Sequence, residues 1–163
     1  MIFVTVGTHE QPFNRLVEYM DKWAAAHDEE VIMQTGFSTY EPKHCEWSKL
    51  YPYSQMVELV EKARIVITHG GPSSFIMPLQ IGKIPIVVPR KKEFDEHVND
   101  HQVEFSKAVA ERQGNIIVVE DVGTISVTID NYPSIIDSMP AALNSNNTAF
   151  NQKLEKIVQE LFR

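Results

Sequence analysis

Cysteine is almost missing from this chain: Cys45 is the only one in 163 residues. An internal disulfide is therefore excluded, and without a second cysteine or paired histidine ligands the thiol reads as a small buried residue rather than a nucleophile. No apolar run approaches the roughly 20 residues needed to span a bilayer. The opening Met1-Ile2-Phe3-Val4-Thr5-Val6-Gly7 is a strand pattern without the basic segment of a leader peptide, so a cytoplasmic protein is expected. Basic residues are in deficit, 15 Lys and Arg against 22 Asp and Glu, for a net charge of −7. That argues against a sequence-independent grip on nucleic acid, which needs a basic face. The one basic run, Arg90-Lys91-Lys92, is answered by Glu93, Asp95 and Glu96. Two nucleotide signatures are missing as well. The first polar loop, Gly7-Thr8-His9-Glu10-Gln11-Pro12, lacks Gly-x-Gly-x-x-Gly, which removes support for nicotinamide binding. No Asp-x-Asp suggests a diphosphate-clamping metal, and a solvated loop explains Glu93-Phe94-Asp95.

What the chain does have is 43% apolar residues and no low-complexity stretch, enough for one domain with a core. Its strand and helix signals alternate. Ile2 to Val6 reads as a strand, and Phe13, Leu16, Val17 and Met20 recur at helical spacing within residues 13–26. Residues 30–34 read as a second strand, 40–47 as a short edge strand, and 53–63 as a helix with Met56, Val57, Leu59 and Val60 facing the core. Apolar runs at 63–67 and 84–89 flank a short helix over 75–81 closed by Gly82, with Pro78 expected to kink it. A longer helix is expected over 96–113, ended by Gly114, and a strand over 115–119. Such alternation predicts an α/β fold, a Rossmann-like parallel sheet with helices on both faces. In the last third, Pro133, Pro140 and the run Asn144-Ser145-Asn146-Asn147 break the pattern into short helical pieces. A final helix opens at Thr148 and carries Phe150, Leu154, Ile157, Val158, Leu161 and Phe162 in one stripe. Residues 1–163 thus read as a single domain, with an α/β core over 1–130 and a helical segment over 131–163.

The segment Thr68-His69-Gly70-Gly71-Pro72-Ser73-Ser74 joins an apolar strand to a helix start. Glycines permit close backbone approach, Ser73 or Ser74 can cap, and a helix N-terminus suits a diphosphate. Pro72 has no N–H to offer, though proline is favoured at the first helical position. In an open parallel sheet ligands bind beyond the carboxyl ends of the strands, where the strand order reverses. Three polar loops meet that condition: Gly7 to Pro12, His69 to Ser74, and Arg90 to Gln102. Their convergence points to a nucleotide site.

Two stretches, Phe3 through Leu16 and His69 through Gln102, resemble bacterial capsule and exopolysaccharide glycosyltransferases. The resemblance is to the catalytic subunit of the two-component β-1,4-galactosyltransferases, relatives of the C-terminal half of family 28 transferases and of the soluble half of the dolichol-linked GlcNAc transferase. It is specific at His69-Gly70-Gly71-Pro72-Ser73-Ser74, at Gly82 to Arg90, and at Glu96-His97-Val98-Asn99-Asp100-His101-Gln102. It implies the donor half of a glycosyltransferase B fold, paired with a membrane-anchored subunit that supplies the acceptor half and recruits the chain to the inner face of the membrane. By the same resemblance the donor is a UDP-sugar, UDP-galactose foremost, and the acceptor a lipid-linked saccharide. No cofactor or metal is implied, and there is room for a homo-oligomer when the chain is alone. Carried over residue by residue, the donor site takes Gly7, Thr8, His69, Gly70, Gly71, Ser73, Ser74, Arg90, His97, His101 and Gln102, with His101-Gln102 near the donor sugar. Met77 departs from the pattern, standing where many relatives hold the ribose with a glutamate.

Inverting transfer needs a base for the acceptor hydroxyl and stabilisation of the departing diphosphate. A helix N-terminus with hydroxyls serves the second task without a metal. For the first, His9 and Glu10 lie on the first rim loop, unless the base belongs to the partner. His97 and His101, four apart on the expected helix, share one face, yet no third zinc ligand is evident. The reading of a different class is a non-catalytic UDP-sugar-binding module that regulates or docks a membrane partner.

Overall fold

Ile2-Phe3-Val4, Val31-Ile32-Met33 and Ile65-Val66-Ile67 offer no polar face, so a sheet built from them must be covered on both sides. In the computed structural model, which describes residues 1–139, this is what forms. Six strands, β1 (Ile2–Thr5), β2 (Val31–Gln34), β3 (Glu46–Ser48), β4 (Ile65–His69), β5 (Ile86–Val88) and β6 (Ile117–Val118), make one sheet in the order β3-β2-β1-β4-β5-β6. Every pairing is parallel. The order reverses between β1 and β4, the position where a doubly wound sheet opens a crevice.

Alternate strand residues divide the core between the two faces. Ile2 and Val4 pack with Leu16, Val17, Met20 and Trp23 of α1 (Asn14–Ala26), with Ile125 and Ile129 of α5 (Ile125–Asp130), and with Tyr132 of α6 (Tyr132–Ser138). On the other face, Phe3, Ile32 and Val66 pack with Leu59 and Val60 of α2 (Tyr53–Lys62). Val87 packs there with Phe75 and Leu79 of α3 (Pro72–Gln80) and with Phe105 and Val109 of α4 (His101–Gln113). Tyr132 is buried and its hydroxyl donates to the Ile84 carbonyl at 2.6 Å, which packs α6 onto the sheet. The helix expected from Thr148, with its apolar stripe, lies outside the described residues.

Four local expectations change. The 40–47 strand is only Glu46–Ser48, because Asp21 of α1 holds the preceding loop as irregular backbone. The buried Asp21 carboxylate accepts from Tyr40 Oη at 2.8 Å, Lys43 N at 3.0 Å, His44 N at 2.7 Å and Cys45 Sγ at 3.6 Å. Cys45 is accordingly inert: burial and the Asp21 charge push its thiol up to about 12. The helix over 75–81 starts instead at Pro72, with Gly71 as its cap and no serine side chain capping it; Pro78 stands inside it. The helix expected from 96 begins at His101, after a short 3-10 turn at Lys92–Phe94. His97 and His101 therefore do not share a helix face, and the spacing argument for a metal falls away.

Lys83 closes the lower edge of the second face. Its ammonium donates to the carbonyls of Val60, Glu61 and Ala63, the orphan acceptors at the C-terminus of α2.

For Asp21, burial alone raises the carboxyl's pKa, but the hydrogen bonds from His44, Tyr40, Lys43 and Cys45 together hold it below its ordinary value. Asp21→Ala is expected to cost about 2–4 kcal/mol at pH 7, since it strips two backbone amides and a phenol of a charged acceptor. A lowered folded-state pKa means this stability is present above the unfolded value near 4 and is lost as pH falls through the folded value. Urea unfolding at pH 7 and pH 3 checks it: the gap between wild type and variant should narrow in acid.

Candidate functional site

The glycine loop follows from the packing of one histidine. His69, the last residue of β4, turns its imidazole inward and is 6% exposed. It fits only because its neighbours have no side chain. A Cβ on Gly7 would lie 2.2 Å from His69 Nε2, and one on Gly71 would lie 2.1 Å from His69 Cε1. Gly71 has φ −73°, open to any residue, so the ring alone excludes a side chain there. Gly7, at φ +73°, is favoured by both backbone and space.

The hydrogen bonds around the ring determine its tautomer. Nδ1 receives the Gly71 N–H at 3.1 Å and faces Gln102 Nε2 at 3.3 Å, and both of these are donors. Nδ1 is therefore the bare nitrogen, Nε2 carries the proton, and Nε2 donates to Ser74 Oγ at 2.9 Å. Ser74 is left with its own O–H free to donate. Burial, reinforced by the Arg90 charge, pushes the His69 pKa down to about 3, so the ring stays neutral.

In this arrangement both glycine amides of the loop are engaged within the protein. Gly71 N–H is taken by His69, and Gly70 N–H donates to Gln102 Oε1 at 3.1 Å. Gln102 is 6% exposed and also accepts from Arg90 N at 3.0 Å, so its side chain organises the loop from beneath. The groups still open at the start of α3 are the Ser73 hydroxyl, which no hydrogen bond engages, the Ser74 hydroxyl, and the Ser73 N–H, an early helical donor with no partner within its helix.

Arg90 is also placed differently from its expected role at the rim. Its side chain is fully buried; Nη1 donates to the carbonyls of Gln11 and Glu96, and Nη2 to that of Val6. Beside it, Arg15 forks onto Glu96 at 2.9 and 3.0 Å, and Glu96 is itself buried. These bonds tie the first rim loop to the Arg90–Gln102 loop. A stack of His9 on His97, centroids 4.6 Å apart and 11° from parallel, continues the tie at the surface. His97 is pushed below its usual pKa by burial and by the nearby His9 and Arg90 charges. His101 is exposed at the start of α4.

Above His69 a cleft of about 610 Å³ opens at the carboxyl ends of β1, β2 and β4. Its polar lining is Gly7, Thr8, His9, His69, Ser73, Ser74 and Gln102, with Thr5 and Gln34. Its aromatic and apolar lining is Leu50, Tyr51, Tyr53, Met56, Val60 and Met77. Of the expected residues, the cleft brings together Gly7, Thr8, His9, His69, Ser73, Ser74 and Gln102, and leaves Glu10, Gly70, Gly71, Arg90, His97 and His101 outside its lining. The apolar wall was missed in the sequence. Met56 and Val60 read as core positions, and the one available signal was the Tyr51-Pro52-Tyr53 aromatic pair just ahead of a helix.

The profile of the Glycosyltransferase family 28 C-terminal domain matches residues 1–161. A comparison with curated proteins gives no match. Among solved structures the chain is similar to the glycotransferase of kitacinnamycin, at 20% identity and a TM-score of 0.53, covering 98% of this chain and 38% of that one. It is similar to the glycosyltransferase SnogD from Streptomyces nogalater, at 16% and 0.50, covering 98% and 38%. It is similar also to CalG4, the calicheamicin glycosyltransferase, at 15% and 0.58, covering 99% and 44%. At these identities the likeness is one of fold, and the chain spans less than half the length of each structure.

The clash that forbids a side chain at position 71 is testable without a ligand. Gly71→Ala is expected to cost about 1–3 kcal/mol by overpacking. Because the three atoms nearest the added methyl all belong to the ring, Gly71→Ala in a His69→Ala background should cost much less. A double-mutant cycle of chemical unfolding reads the difference, and additive losses would show that the ring does not fill that space.

Proposed function

Because the chain belongs to the glycosyltransferase family 28 C-terminal domain family, we propose that it is the donor half of an inverting transferase that moves galactose from UDP-galactose to a lipid-linked saccharide in capsule or exopolysaccharide synthesis. The observation that carries this reading is the two-part lining of the cleft, which joins hydroxyls and a helix start to Tyr51, Tyr53 and Met56. A nucleoside diphosphate has the same two parts, an anionic diphosphate and a flat apolar-faced base. Aligned so, the base lies against the tyrosines and the diphosphate receives the hydroxyls of Ser73 and Ser74 and the dipole of α3.

In the transfer, the acceptor hydroxyl oxygen attacks the anomeric carbon, the bond to the diphosphate breaks, and UDP leaves with the electron pair. Negative charge grows on the diphosphate oxygens at the start of α3. Donors already fixed there, foremost Ser74 O–H as oriented by neutral His69, stabilise it without reorganising. This role needs no metal. Among the described residues no three His, Cys, Asp or Glu side chains group to hold one.

The proton of the acceptor needs a base. His69 is buried, neutral and engaged on both nitrogens, so it does not serve. Of the two candidates, His9 lines the cleft while Glu10 is exposed outside its lining. In this reading the acceptor half, and with it either the base or the acceptor that His9 deprotonates, comes from a membrane-anchored partner that brings the chain to the cytoplasmic face. Among the described residues no helix is long and apolar enough to cross a membrane. The scarcity of acid–base groups in the cleft also favours a second reading, a non-catalytic UDP-sugar module that docks such a partner.

Calorimetry with UDP tests the site, and a transfer assay separates the two readings. Ser73→Ala combined with Ser74→Ala should weaken UDP at least tenfold, because each deleted hydroxyl bonds a charged ligand. Unchanged affinity would remove the diphosphate from this helix start. Mixed with membranes that contain the partner, the chain should transfer galactose from UDP-galactose to lipid; donor binding without transfer would select the non-catalytic module.

A further inference from the structure

We propose that His9 meets the bound diphosphate as an imidazolium: its ring takes up one proton from solvent as the anionic ligand enters the cleft, and so serves the leaving group rather than the acceptor hydroxyl. The inference rests on the reading of the cleft as a diphosphate site given above. It deepens that reading by assigning the charge state of one lining residue and moving the base to the acceptor half.

Hydrogen bonds set the starting state. Gln11 Nε2 donates to the Asp95 carbonyl at 3.3 Å, which leaves Gln11 Oε1 to face His9 Nε2 at 2.9 Å. An amide oxygen only accepts, so His9 Nε2 carries the ring's proton and Nδ1 is bare. Among the described residues no hydrogen bond engages that Nδ1. His97, stacked on it, is committed otherwise. Its Nδ1 accepts from Asn99 N at 3.4 Å, so its own proton sits on Nε2, and a second proton would have to displace that amide. His97 also lies outside the cleft lining, whereas His9 is part of it. Of the two rings, only His9 combines an unengaged nitrogen with a place where the ligand binds.

Electrostatics hold the pair neutral until an anion arrives. The groups that act on the two rings are Arg90, His69 at the end of β4 and His101 at the start of α4, all of them cationic or able to become so. The carboxylates of the same two loops do not offset them. Glu96 is taken by Arg15, Asp100 accepts from Lys92 N, Glu93 pairs with Lys91, and Glu10 and Asp95 are exposed. Burial pushes His97 below its usual pKa, and the His9 and Arg90 charges add to the effect. A proton on each ring would set like charges on centroids 4.6 Å apart, so the pair holds one at most. A diphosphate reverses the balance, because its negative charge favours the imidazolium. A pKa raised in the bound state means that the proton is taken up on binding and that affinity rises as pH falls. An imidazolium has no lone pair with which to accept the acceptor's proton. What it supplies is a positive charge in a lining that has no Lys or Arg, directed at the oxygens from which the sugar departs.

Titration calorimetry with UDP-galactose at pH 7, in phosphate and in Tris, counts the proton, because the buffer that surrenders it adds its own ionisation enthalpy to the heat. Both phosphates of this ligand are esterified and stay ionised throughout, whereas the terminal phosphate of UDP titrates at about pH 6. Uptake of roughly half a proton or more is expected, with the dissociation constant weakening about fivefold or more between pH 6 and pH 8. Heats that do not depend on the buffer would overturn the proposal and leave the nucleotide reading standing, whereas no binding in either buffer would overturn that reading and this inference with it. Two variants identify the ring. His9→Asn should abolish the uptake, and His97→Phe, which keeps an aromatic surface for the stack, should retain it. Uptake that survives in His9→Asn, or is lost in a His97→Phe variant shown to be folded by circular dichroism, would take the proton away from His9.

Discussion

One imidazole holds the working edge of this sheet together. His69 ends β4, the strand at which the order reverses, and its ring fills the space between Gly7 of the first loop and Gly71 of the second. Because two donors point at Nδ1, the ring's own proton has only Nε2 to occupy, and Ser74 receives it. The chain of consequence runs from steric exclusion at two glycines, to a fixed tautomer, to the direction of a serine O–H. Each link is local, and none depends on a charge that pH could remove in the physiological range, since burial and Arg90 hold the ring's pKa near 3.

A second constraint holds the two remaining loops. Arg90 is fully buried, yet burial lowers its pKa only to about 10, partly countered by Glu96, so it keeps its charge at neutral pH. Such a cation is tolerated because the backbone of both loops supplies its acceptors. Phe13 lies under it with the ring centroid 5.0 Å from the guanidinium, and Arg15 sits 5.4 Å from the same ring. Removing any one partner would leave a buried charge uncompensated, so the first loop, the Arg90–Gln102 loop and the start of α1 are fixed as a unit.

The fold was legible because its strands are unusually plain. Runs such as Ile65-Val66-Ile67 are apolar on both sides, and Gly114 at φ +61° ends α4 where a helix stop was read. The convergence of three loops followed from strand order alone. The partners of polar atoms were not legible. A glycine pair before a serine-rich helix start looks the same whether its amides face a ligand or a neighbouring side chain, and only the position of His69 and Gln102 in space distinguishes the two. Arg90 illustrates the same limit, since a basic residue at a strand end reads as a ligand contact until the carbonyls of Val6 and Gln11, some eighty positions earlier in the chain, are found to surround it. Helix α4 started late for a comparable reason: Glu96 turns inward to Arg15 and Lys91 N, which commits the backbone before His101 to a loop.

Charge decides what kind of grip such a site can have. The cleft is lined by no Lys, Arg, Asp or Glu, so an anionic ligand meets hydroxyls and imidazoles at contact distance. Beneath it, Arg15 forks onto the Glu96 carboxylate while Arg90 donates to the Glu96 carbonyl, so two guanidinium groups stand beside one carboxylate and leave one positive charge in excess. At roughly 10 Å and an effective dielectric of about 20, that excess attracts a unit negative charge by on the order of 1–2 kcal/mol. The attraction is comparable to one hydrogen bond, and it does not discriminate between a diphosphate before and after its sugar has left. In the proposed transfer the fixed hydroxyls do discriminate, because their bonds shorten and strengthen as charge builds on the leaving oxygens. Under the proposed reading, a first layer without fixed charge over a buried cation binds the resting ligand weakly and directs its strongest interaction to the developing anion, the order that a transferase requires if it is to release the nucleotide it has just formed.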